Sequence, residues 1–299
     1  MTSAVGSQPV GFSKWVAGAR PRTLPAAIAP VLVGTSLIPS DKRPINLLNG
    51  LAALFVSLLL QIAVNFSNDY SDGIRGTDKN RVGPMRLVAS GLATAKQVKA
   101  AAYLCFILAS FCGLFLASRT SWWLIALGLI CIIAAWTYTG GAKPYGYSGF
   151  GEISVFIFFG VVATVGSYFI QSGKITWQSF LVSIPMGTLS CAILSINNLR
   201  DLPKDALVSK KTLAVRIGDR NARKMFVGLI LLAHLASLIS VLITPWALAT
   251  IVFLPMAVKI SRNVMGGAQG AALIPILGKV GKLQLFIAVT LAIALLAQR

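Results

Sequence analysis

Long runs of apolar residues, separated by short polar segments, follow one another along almost the whole 299-residue chain. Within a run the apolar positions do not alternate with polar ones, and most runs are far longer than a barrel strand. Because a backbone in lipid must satisfy its own hydrogen bonds, such runs predict membrane-spanning helices. The pattern predicts nine of them, over residues 22–39, 47–68, 97–118, 121–140, 150–171, 177–198, 222–243, 246–260 and 282–298.

The predicted fold class is therefore all-α, a polytopic membrane protein with its helices in one bundle. Residues 1–13 form a short polar tail without the pattern of a cleavable signal peptide. Residues 14–299 are expected to form a single transmembrane domain. The composition agrees, since 12% of the residues are charged and 56% are hydrophobic, whereas soluble domains carry about 25% charged residues.

The formal net charge of +19 would suggest a nucleic-acid partner in a soluble protein. No basic face with aromatic platforms is present, so no nucleic acid is expected to bind. Lysine and arginine instead report topology, because cytoplasmic loops of membrane proteins are enriched in them.

The distribution of the basic residues predicts the orientation of the chain. With the N-terminus in the cytoplasm, most of the 27 lysines and arginines fall in cytoplasmic segments. Those left outside are Lys42, Arg43, Arg119, Lys174 and Arg299. We therefore expect a multi-pass protein of the plasma membrane with a cytoplasmic N-terminus and an external C-terminus.

Only eight residues are acidic, and most of them lie in two short clusters. Each cluster is led by asparagine at a predicted helix end. The members are Asn68, Asp69, Asp72 and Asp78 in the first cluster, and Asn197, Asn198, Asp201 and Asp205 in the second. Four predicted helices separate the clusters, so both are expected on the cytoplasmic edge of the membrane.

The spacing of the carboxylates favours a shared cation. Asp69 and Asp72 are three residues apart, and Asp201 and Asp205 are four apart, which places each pair on one helix face. Mg²⁺ typically takes one or two carboxylates together with phosphate oxygens. Two facing sites would hold a diphosphate. Pro203 lies inside the second cluster and makes its helical geometry less secure.

Basic residues beside the clusters suit the same ligand, because guanidinium groups bind phosphate in bidentate fashion. They are Lys79, Arg81, Arg86, Arg200, Lys210 and Arg216. A diphosphate held in this way is a good leaving group. The alternative interpretation is structural: aspartate and asparagine often cap helices, and loop lysines often only fix topology.

Four stretches, 19–25, 68–91, 138–151 and 197–218, carry a resemblance to a known family. The second reads NDYSDGIRGTDKNRVGPMRLVASG and the fourth NNLRDLPKDALVSKKTLAVRIG. They resemble the UbiA superfamily of intramembrane aromatic prenyltransferases. RVGPMR and KTLAVRIG are most similar to the branch whose acceptor is 1,4-dihydroxy-2-naphthoate.

The resemblance implies a central cavity open to the cytoplasmic side, with the active site there. It implies Mg²⁺-dependent transfer of a polyprenyl group from polyprenyl diphosphate to the naphthoate ring. Loss of CO₂ and diphosphate would give demethylmenaquinone, a step of menaquinone biosynthesis.

The resemblance also assigns roles by motif position. The metal and diphosphate residues are Asn68, Asp69, Asp72, Asp78, Asp201 and Asp205. Further expected diphosphate or substrate contacts are Arg81, Arg86, Asn197, Asn198, Arg200 and Lys210. Lys143 would bind the diphosphate or the acceptor carboxylate, and Arg22 would be an anion contact.

Aromatic rings stabilise cations through their π faces. Tyr70, Tyr138 and Tyr145 are therefore candidates for holding the allylic carbocation, with interfacial anchoring as the alternative for each.

Two other functions remain open. A UbiA relative with a different acceptor, 4-hydroxybenzoate or homogentisate, would share the same clusters. A cation-coupled transporter would use the aspartates as ion sites, but transporters place such sites near the bilayer midplane, whereas these clusters lie at one edge. The pattern indicates neither the prenyl chain length nor the oligomeric state.

Overall fold

The computed structural model of the protein describes residues 9, 11–38, 44–77, 83–208 and 210–297. All regular secondary structure in these residues is helical. The α-helices are α1 (Phe12–Ala19), α2 (Pro25–Ser36), α3 (Leu47–Arg75), α4 (Ala95–Arg119), α5 (Trp123–Thr137), α6 (Gly151–Val155), α7 (Ala163–Ser172), α8 (Trp177–Asp205), α9 (Leu213–Ile239), α10 (Leu254–Met265) and α11 (Leu273–Leu296). A π-helical segment, Phe156–Val162, joins α6 to α7, and 3₁₀ segments include Pro21–Thr23, Tyr145–Ser148 and Pro245–Phe253.

Within the described residues, seven helical stretches are long and apolar enough to cross a membrane. They are Leu47–Arg75, Ala95–Arg119, Gly151–Ser172, Trp177–Asp205, Leu213–Leu242, Pro245–Met265 and Gly270–Leu296. The shorter apolar helices α2 and α5 occupy the places of the predicted first and fourth spans. The all-helical, multi-pass architecture is thus confirmed. The count of nine stays a prediction, because α2 and α5 have fewer than the roughly 20 residues of a typical span.

Several helices extend beyond the predicted spans. The second predicted span stops at residue 68 and the sixth at 198, but α3 runs to Arg75 and α8 to Asp205. α8 passes through Pro203 without ending there. Likewise, α9 begins at Leu213, before the predicted start at residue 222, and contains non-helical backbone at Gly218. Helix α11 begins at Leu273, before the predicted start at residue 282. Hydropathy marks only the apolar part of a helix, so the polar turns at the ends were assigned to loops.

Hydrogen bonds tie neighbouring helices together at both ends of the bundle. At one end, Thr139 Oγ1 donates to Asn68 Oδ1 at 2.7 Å. At the opposite end, Asn49 Nδ2 donates to Ile170 O at 3.1 Å, and Arg119 Nε donates to Asn49 Oδ1 at 3.2 Å. We call the first the carboxylate end, since Asp72 and Asp201 also lie there, and the second the far end.

The most buried of the spanning helices is α8, which packs against α2, α9, α11 and the π-helical segment. Contact with the π-helical segment is very close: a Cβ on Gly160 would lie 2.6 Å from Gly187 Cα. Glycine at both positions therefore lets the two backbones touch. This contact fixes the 151–172 stretch beside α8, where the two together form one wall of a cavity.

Candidate functional site

The described members of the first acidic cluster, Asn68, Asp69 and Asp72, lie on the last turns of α3. Asp72 is 1% exposed. Its Oδ2 accepts a hydrogen bond from Arg86 Nη2 at 3.2 Å, and its Oδ1 accepts one from the hydroxyl of Tyr147. A carboxylate at a helix C-terminus is repelled by the helix dipole. These donors, one from the segment between α3 and α4 and one from the 3₁₀ segment Tyr145–Ser148, offset that repulsion.

Asp69 has a different environment from Asp72. Its two carboxylate oxygens accept the backbone N–H groups of Leu87 at 2.7 Å and Val88 at 3.1 Å. Asp69 therefore anchors the backbone at Leu87 and Val88 to α3. The structure does not bring it to the cavity with Asp72, which is one turn further along α3.

The second acidic cluster lies on the last turns of α8. Asn198 Nδ2 donates to Glu152 Oε1 at 2.9 Å. Arg200 holds Asp201 with two parallel hydrogen bonds, Nε to Oδ1 at 2.8 Å and Nη2 to Oδ2 at 2.7 Å. Such bidentate, charge-assisted pairs fix side-chain geometry. Asp205 is also buried, one turn beyond Asp201.

Lys210 connects the two clusters. Its Nζ lies 4.0 Å from Asp72 Oδ2 on α3 and 3.7 Å from Asp205 Oδ1 on α8. The same ammonium lies 5.0 Å from the ring centroid of Tyr147. One cation thus lies between carboxylates from two helices that are far apart in sequence. The two clusters therefore face each other, as a shared ligand would require.

Tyr147 is held as a hydrogen-bond donor. Burial raises the pKa of its hydroxyl, and so do the negative charge of Asp72 and the hydrogen bond to it. Because the folded-state pKa is raised, the protonated form is favoured up to and beyond the ordinary pKa of 10.0. The Tyr147–Asp72 contact is therefore fully present at neutral pH and is lost only as the pH rises through the raised pKa.

A cavity of about 310 Å³ opens between α2, α3, α4, α5, α7 and α8. All of its charged residues and tyrosines are gathered at the carboxylate end, together with three asparagines: Arg20, Asn68, Asp72, Arg86, Tyr138, Tyr145, Tyr147, Asn197, Asn198, Asp201 and Lys210. Toward the far end the lining becomes apolar, with residues such as Leu60, Leu116, Leu127, Phe158 and Ile170. The cavity suits an amphiphile with an anionic head and a long hydrocarbon tail.

Most of the predicted site residues come together around this cavity. Those that line it are Asn68, Asp72, Arg86, Tyr138, Tyr145, Asn197, Asn198, Asp201 and Lys210. Asp205 forms an ion pair with Lys210, which lines the cavity, and Arg200 donates hydrogen bonds to Asp201. Asp78 and Arg81 lie outside the described residues.

Three predicted residues are placed elsewhere. Lys143 is exposed in the turn that precedes the 3₁₀ segment Tyr145–Ser148, and Arg22 is exposed at the start of the bundle. Neither side chain lines the cavity. Tyr70 stacks on Trp136 at 6.0 Å between ring centroids, away from the cavity.

Three residues that the sequence did not single out for the site do belong to it. Arg20 lines the cavity in place of Arg22, and it is the only described non-glycine residue with positive φ, at 55°. Tyr147 contacts Asp72 directly. Glu152 is 7% exposed, and its Oε2 has no hydrogen-bond partner among the described residues. No local pattern marked these three residues, since Pro21 predicts an extended Arg20 and not the left-handed conformation that it adopts.

The donor chemistry of the site fits a magnesium ion that arrives with its substrate. Among the described residues, no three His, Cys, Asp or Glu side chains lie close enough to form a preformed metal cluster. Mg²⁺ does not need one, since it takes one or two carboxylates and completes its shell with water and phosphate oxygens. Asp72, Asp201 and Asp205, with the amide oxygens of Asn68 and Asn197, supply hard oxygen donors of this kind.

Comparison with known proteins places this geometry in context. Residues 27–274 match the model of the UbiA prenyltransferase family. The chain is 47% identical over 284 residues to the 1,4-dihydroxy-2-naphthoate octaprenyltransferase of Mycobacterium tuberculosis, with 95% of this chain and 97% of the relative covered.

Two solved structures share the fold. A UbiA homologue from Aeropyrum pernix superimposes with a TM-score of 0.71 at 13% identity, covering 95% of this chain and 99% of that one. A UbiA homologue from Archaeoglobus fulgidus, bound to DMAPP and Mg²⁺, gives a TM-score of 0.68 at 15% identity, covering 96% and 100%. At these identities the likeness establishes the fold alone.

Proposed function

Since the chain belongs to the UbiA prenyltransferase family, we propose that it transfers a polyprenyl group from polyprenyl diphosphate to 1,4-dihydroxy-2-naphthoate. Diphosphate and CO₂ are released, and the product has the demethylmenaquinone skeleton of menaquinone biosynthesis. The acceptor follows the M. tuberculosis relative, which is 47% identical along nearly its whole length.

One structural observation carries the donor assignment: the polarity of the cavity changes from one end to the other. Cations and carboxylates lie at the carboxylate end, and an apolar arm runs from them through the bundle. A polyprenyl diphosphate has the same division between a charged head and a hydrocarbon tail. An apolar arm lets the tail pass from the bilayer into the protein without exposure to water.

The head of the donor would lie between α3 and α8. Arg86 and Lys210 line the cavity there and would contact the phosphate oxygens. Asp72, Asp201 and Asp205 would hold Mg²⁺, in line with the DMAPP- and Mg²⁺-bound A. fulgidus homologue. When bound, the metal would neutralise charge on the leaving diphosphate. Binding then replaces the ion pairs of Lys210 with contacts to the substrate.

Transfer breaks the bond between the allylic carbon and the diphosphate oxygen, and the electron pair leaves with the diphosphate. The electron-rich naphthoate ring attacks the resulting carbocation with the carbon that bears its carboxylate, and a new carbon–carbon bond forms. The carboxylate then departs as CO₂ and returns its bonding pair to the ring, which restores aromaticity at the hydroquinone level. Tyr138 and Tyr145, in edge contact at 5.4 Å between ring centroids, face the cavity and would stabilise the cation.

The protein is a multi-pass membrane protein, and we place its carboxylate end in the cytoplasm. In this arrangement nine spans cross the plasma membrane, the N-terminus is cytoplasmic and the C-terminus external. Residues 14–299 then form a single catalytic domain. The excess of lysine and arginine in segments at the carboxylate end supports this orientation.

The test uses purified protein in lipid nanodiscs with a labelled polyprenyl diphosphate. 1,4-Dihydroxy-2-naphthoate, 4-hydroxybenzoate and homogentisate are offered separately, with Mg²⁺ or with a chelator. We expect a prenylated, decarboxylated product from the naphthoate alone, and only with the metal. Turnover of 4-hydroxybenzoate or homogentisate without turnover of the naphthoate would overturn the acceptor assignment.

A further inference from the structure

The apolar arm of the cavity extends through almost the full depth of the bundle. On α3, residues Ala53, Val56, Leu60, Val64 and Asn68 line it at helical spacing on the way to Asp72. From Ala53 to Asp72 the helix rises by about 28 Å at 1.5 Å per residue. This is close to the ~30 Å thickness of a bilayer's hydrocarbon core. An isoprenoid tail can therefore lie along the arm, inside the protein.

Near the far end, three glycines line this arm from three different helices: Gly113 on α4, Gly128 on α5 and Gly166 on α7. Each is five or six residues from the far end of its helix, which is about 9 Å at 1.5 Å per residue. They therefore lie at a similar depth. We call them the far glycines.

The far glycines leave empty space where side chains would be. A Cβ built on any of the three meets no atom within 4 Å. The environment is different at Gly160 and Gly187, where glycine is required by backbone contact. Gly128 and Gly166 also lie in the middle of cavity-facing stripes, for instance between Leu124 and Cys131 on α5. Their missing side chains therefore open toward the cavity.

A small apolar core lies beside this part of the arm. Val31, Ala53, Leu116 and Ile170 are buried together there, and each also lines the cavity. The space at the far glycines is thus bordered by packed apolar side chains. Side chains added at the glycines would narrow the path of a tail that extends beyond this level.

We propose that Gly113, Gly128 and Gly166 set the length of the isoprenoid tail that the protein accepts, by keeping the far part of the arm open. The proposal rests on the proposed function, since it takes a polyprenyl diphosphate as the donor. Larger side chains at these positions shorten the arm. Short donors, which end before this level, are then accepted as before, and long donors are rejected.

The experiment measures donor selectivity in Gly113→Leu, Gly128→Leu and Gly166→Leu, with Gly→Ala at each site as a graded intermediate. Initial rates with farnesyl and octaprenyl diphosphate are compared at fixed acceptor. We expect the octaprenyl-to-farnesyl rate ratio to fall by about tenfold or more in the leucine variants, the effect of forcing one side chain into occupied apolar space. The alanine variants should fall between these and the wild type.

The matched control is Gly228→Leu. Gly228 is an exposed helical glycine on α9 with nothing within 4 Å of its Cβ, and it does not line the cavity. Leucine favours the helix more than glycine at all four positions, so the variants are expected to fold. The rate ratio of Gly228→Leu should equal that of the wild type.

A binding measurement separates this inference from the proposed function. Competition of unlabelled farnesyl and octaprenyl diphosphate against a fluorescent prenyl diphosphate needs no acceptor and no turnover. Selective loss of octaprenyl binding in the far-glycine variants supports the inference even if the acceptor assignment fails. An unchanged preference for long over short donors in all three leucine variants would overturn it.

Discussion

Asn198, which lines the cavity, donates its amide N–H to the buried carboxylate of Glu152 at 2.9 Å. Glu152 does not line the cavity, so it acts through Asn198 as a positioning residue. It fixes which way the Asn198 amide points, and therefore whether its oxygen or its nitrogen faces the substrate. Glu152, in the first turn of α6, thus orients Asn198 of the second acidic cluster without lining the cavity itself.

Replacing Glu152 with leucine should lower kcat by about tenfold, the effect of losing one buried hydrogen bond of 1–2 kcal/mol. Glu152→Gln keeps an acceptor oxygen of the same reach and should recover most of the activity. Steady-state kinetics on both variants, at matched amounts of folded protein, tests this. Equal activities of the leucine and glutamine variants would show that Glu152 does not position Asn198.

Lys210 lies within 4.0 Å of carboxylates from both clusters, so removing its charge changes two equilibria in opposite directions. In Lys210→Met the KM for the diphosphate should rise by roughly tenfold or more, because one charge-assisted phosphate contact is lost. The Mg²⁺ concentration needed for half-maximal rate should fall, because no ammonium competes for Asp72 and Asp205.

Titrations of donor and of Mg²⁺ on the same preparation measure both effects. The control is Lys224→Met, which removes an exposed lysine of α9 that is not in the cavity. A rise in the Mg²⁺ requirement of Lys210→Met would contradict the placement of the metal near Asp72 and Asp205.

Gly160 and Gly187 bring the π-helical segment against α8, and a side chain on either glycine meets atoms closer than 3.0 Å. Gly160→Val should therefore destabilise the protein by about 1–3 kcal/mol, the usual cost of overpacking. Thermal unfolding in detergent should show a lower Tm than for the wild type. Gly228→Val, where the space is open, should unfold like the wild type, and equal Tm values for the two variants would disprove the close contact.

The sequence predicted the helical membrane fold and the family, which the match over residues 27–274 confirms. Among the predicted site residues, Asp72 and Asp201 on the long helices and Arg86 and Lys210 between helices do line the cavity. Asp69 and Tyr70, also on α3, do not, and neither do Arg22 and Lys143. Whether Arg20 or Arg22 faces inward depends on one left-handed backbone conformation.

The tertiary contacts of the carboxylates could not be predicted from the sequence either. Asp69 and Asp72 look alike in sequence, and only the return of the chain at Leu87 and Val88 gives Asp69 a backbone-binding role. Tyr147 and Glu152 entered the site through contacts with residues 75 and 46 positions away. No spacing rule relates such residues.

Neutralising one carboxylate in either acidic cluster should be enough to block transfer. In Asp72→Asn and in Asp201→Asn, Mg²⁺-dependent transfer should fall by about 100-fold or more, since a buried metal- and hydrogen-bonding charge is lost. Both substitutions keep the side-chain volume, but each removes a charge partner of a buried arginine, Arg86 or Arg200, so Tm in detergent should fall and rates are compared at matched amounts of folded protein. Asp219→Asn is the matched control, because Asp219 pairs with Arg223 on α9, outside the cavity. Near-normal transfer by Asp72→Asn or Asp201→Asn would remove that residue from the proposed metal set.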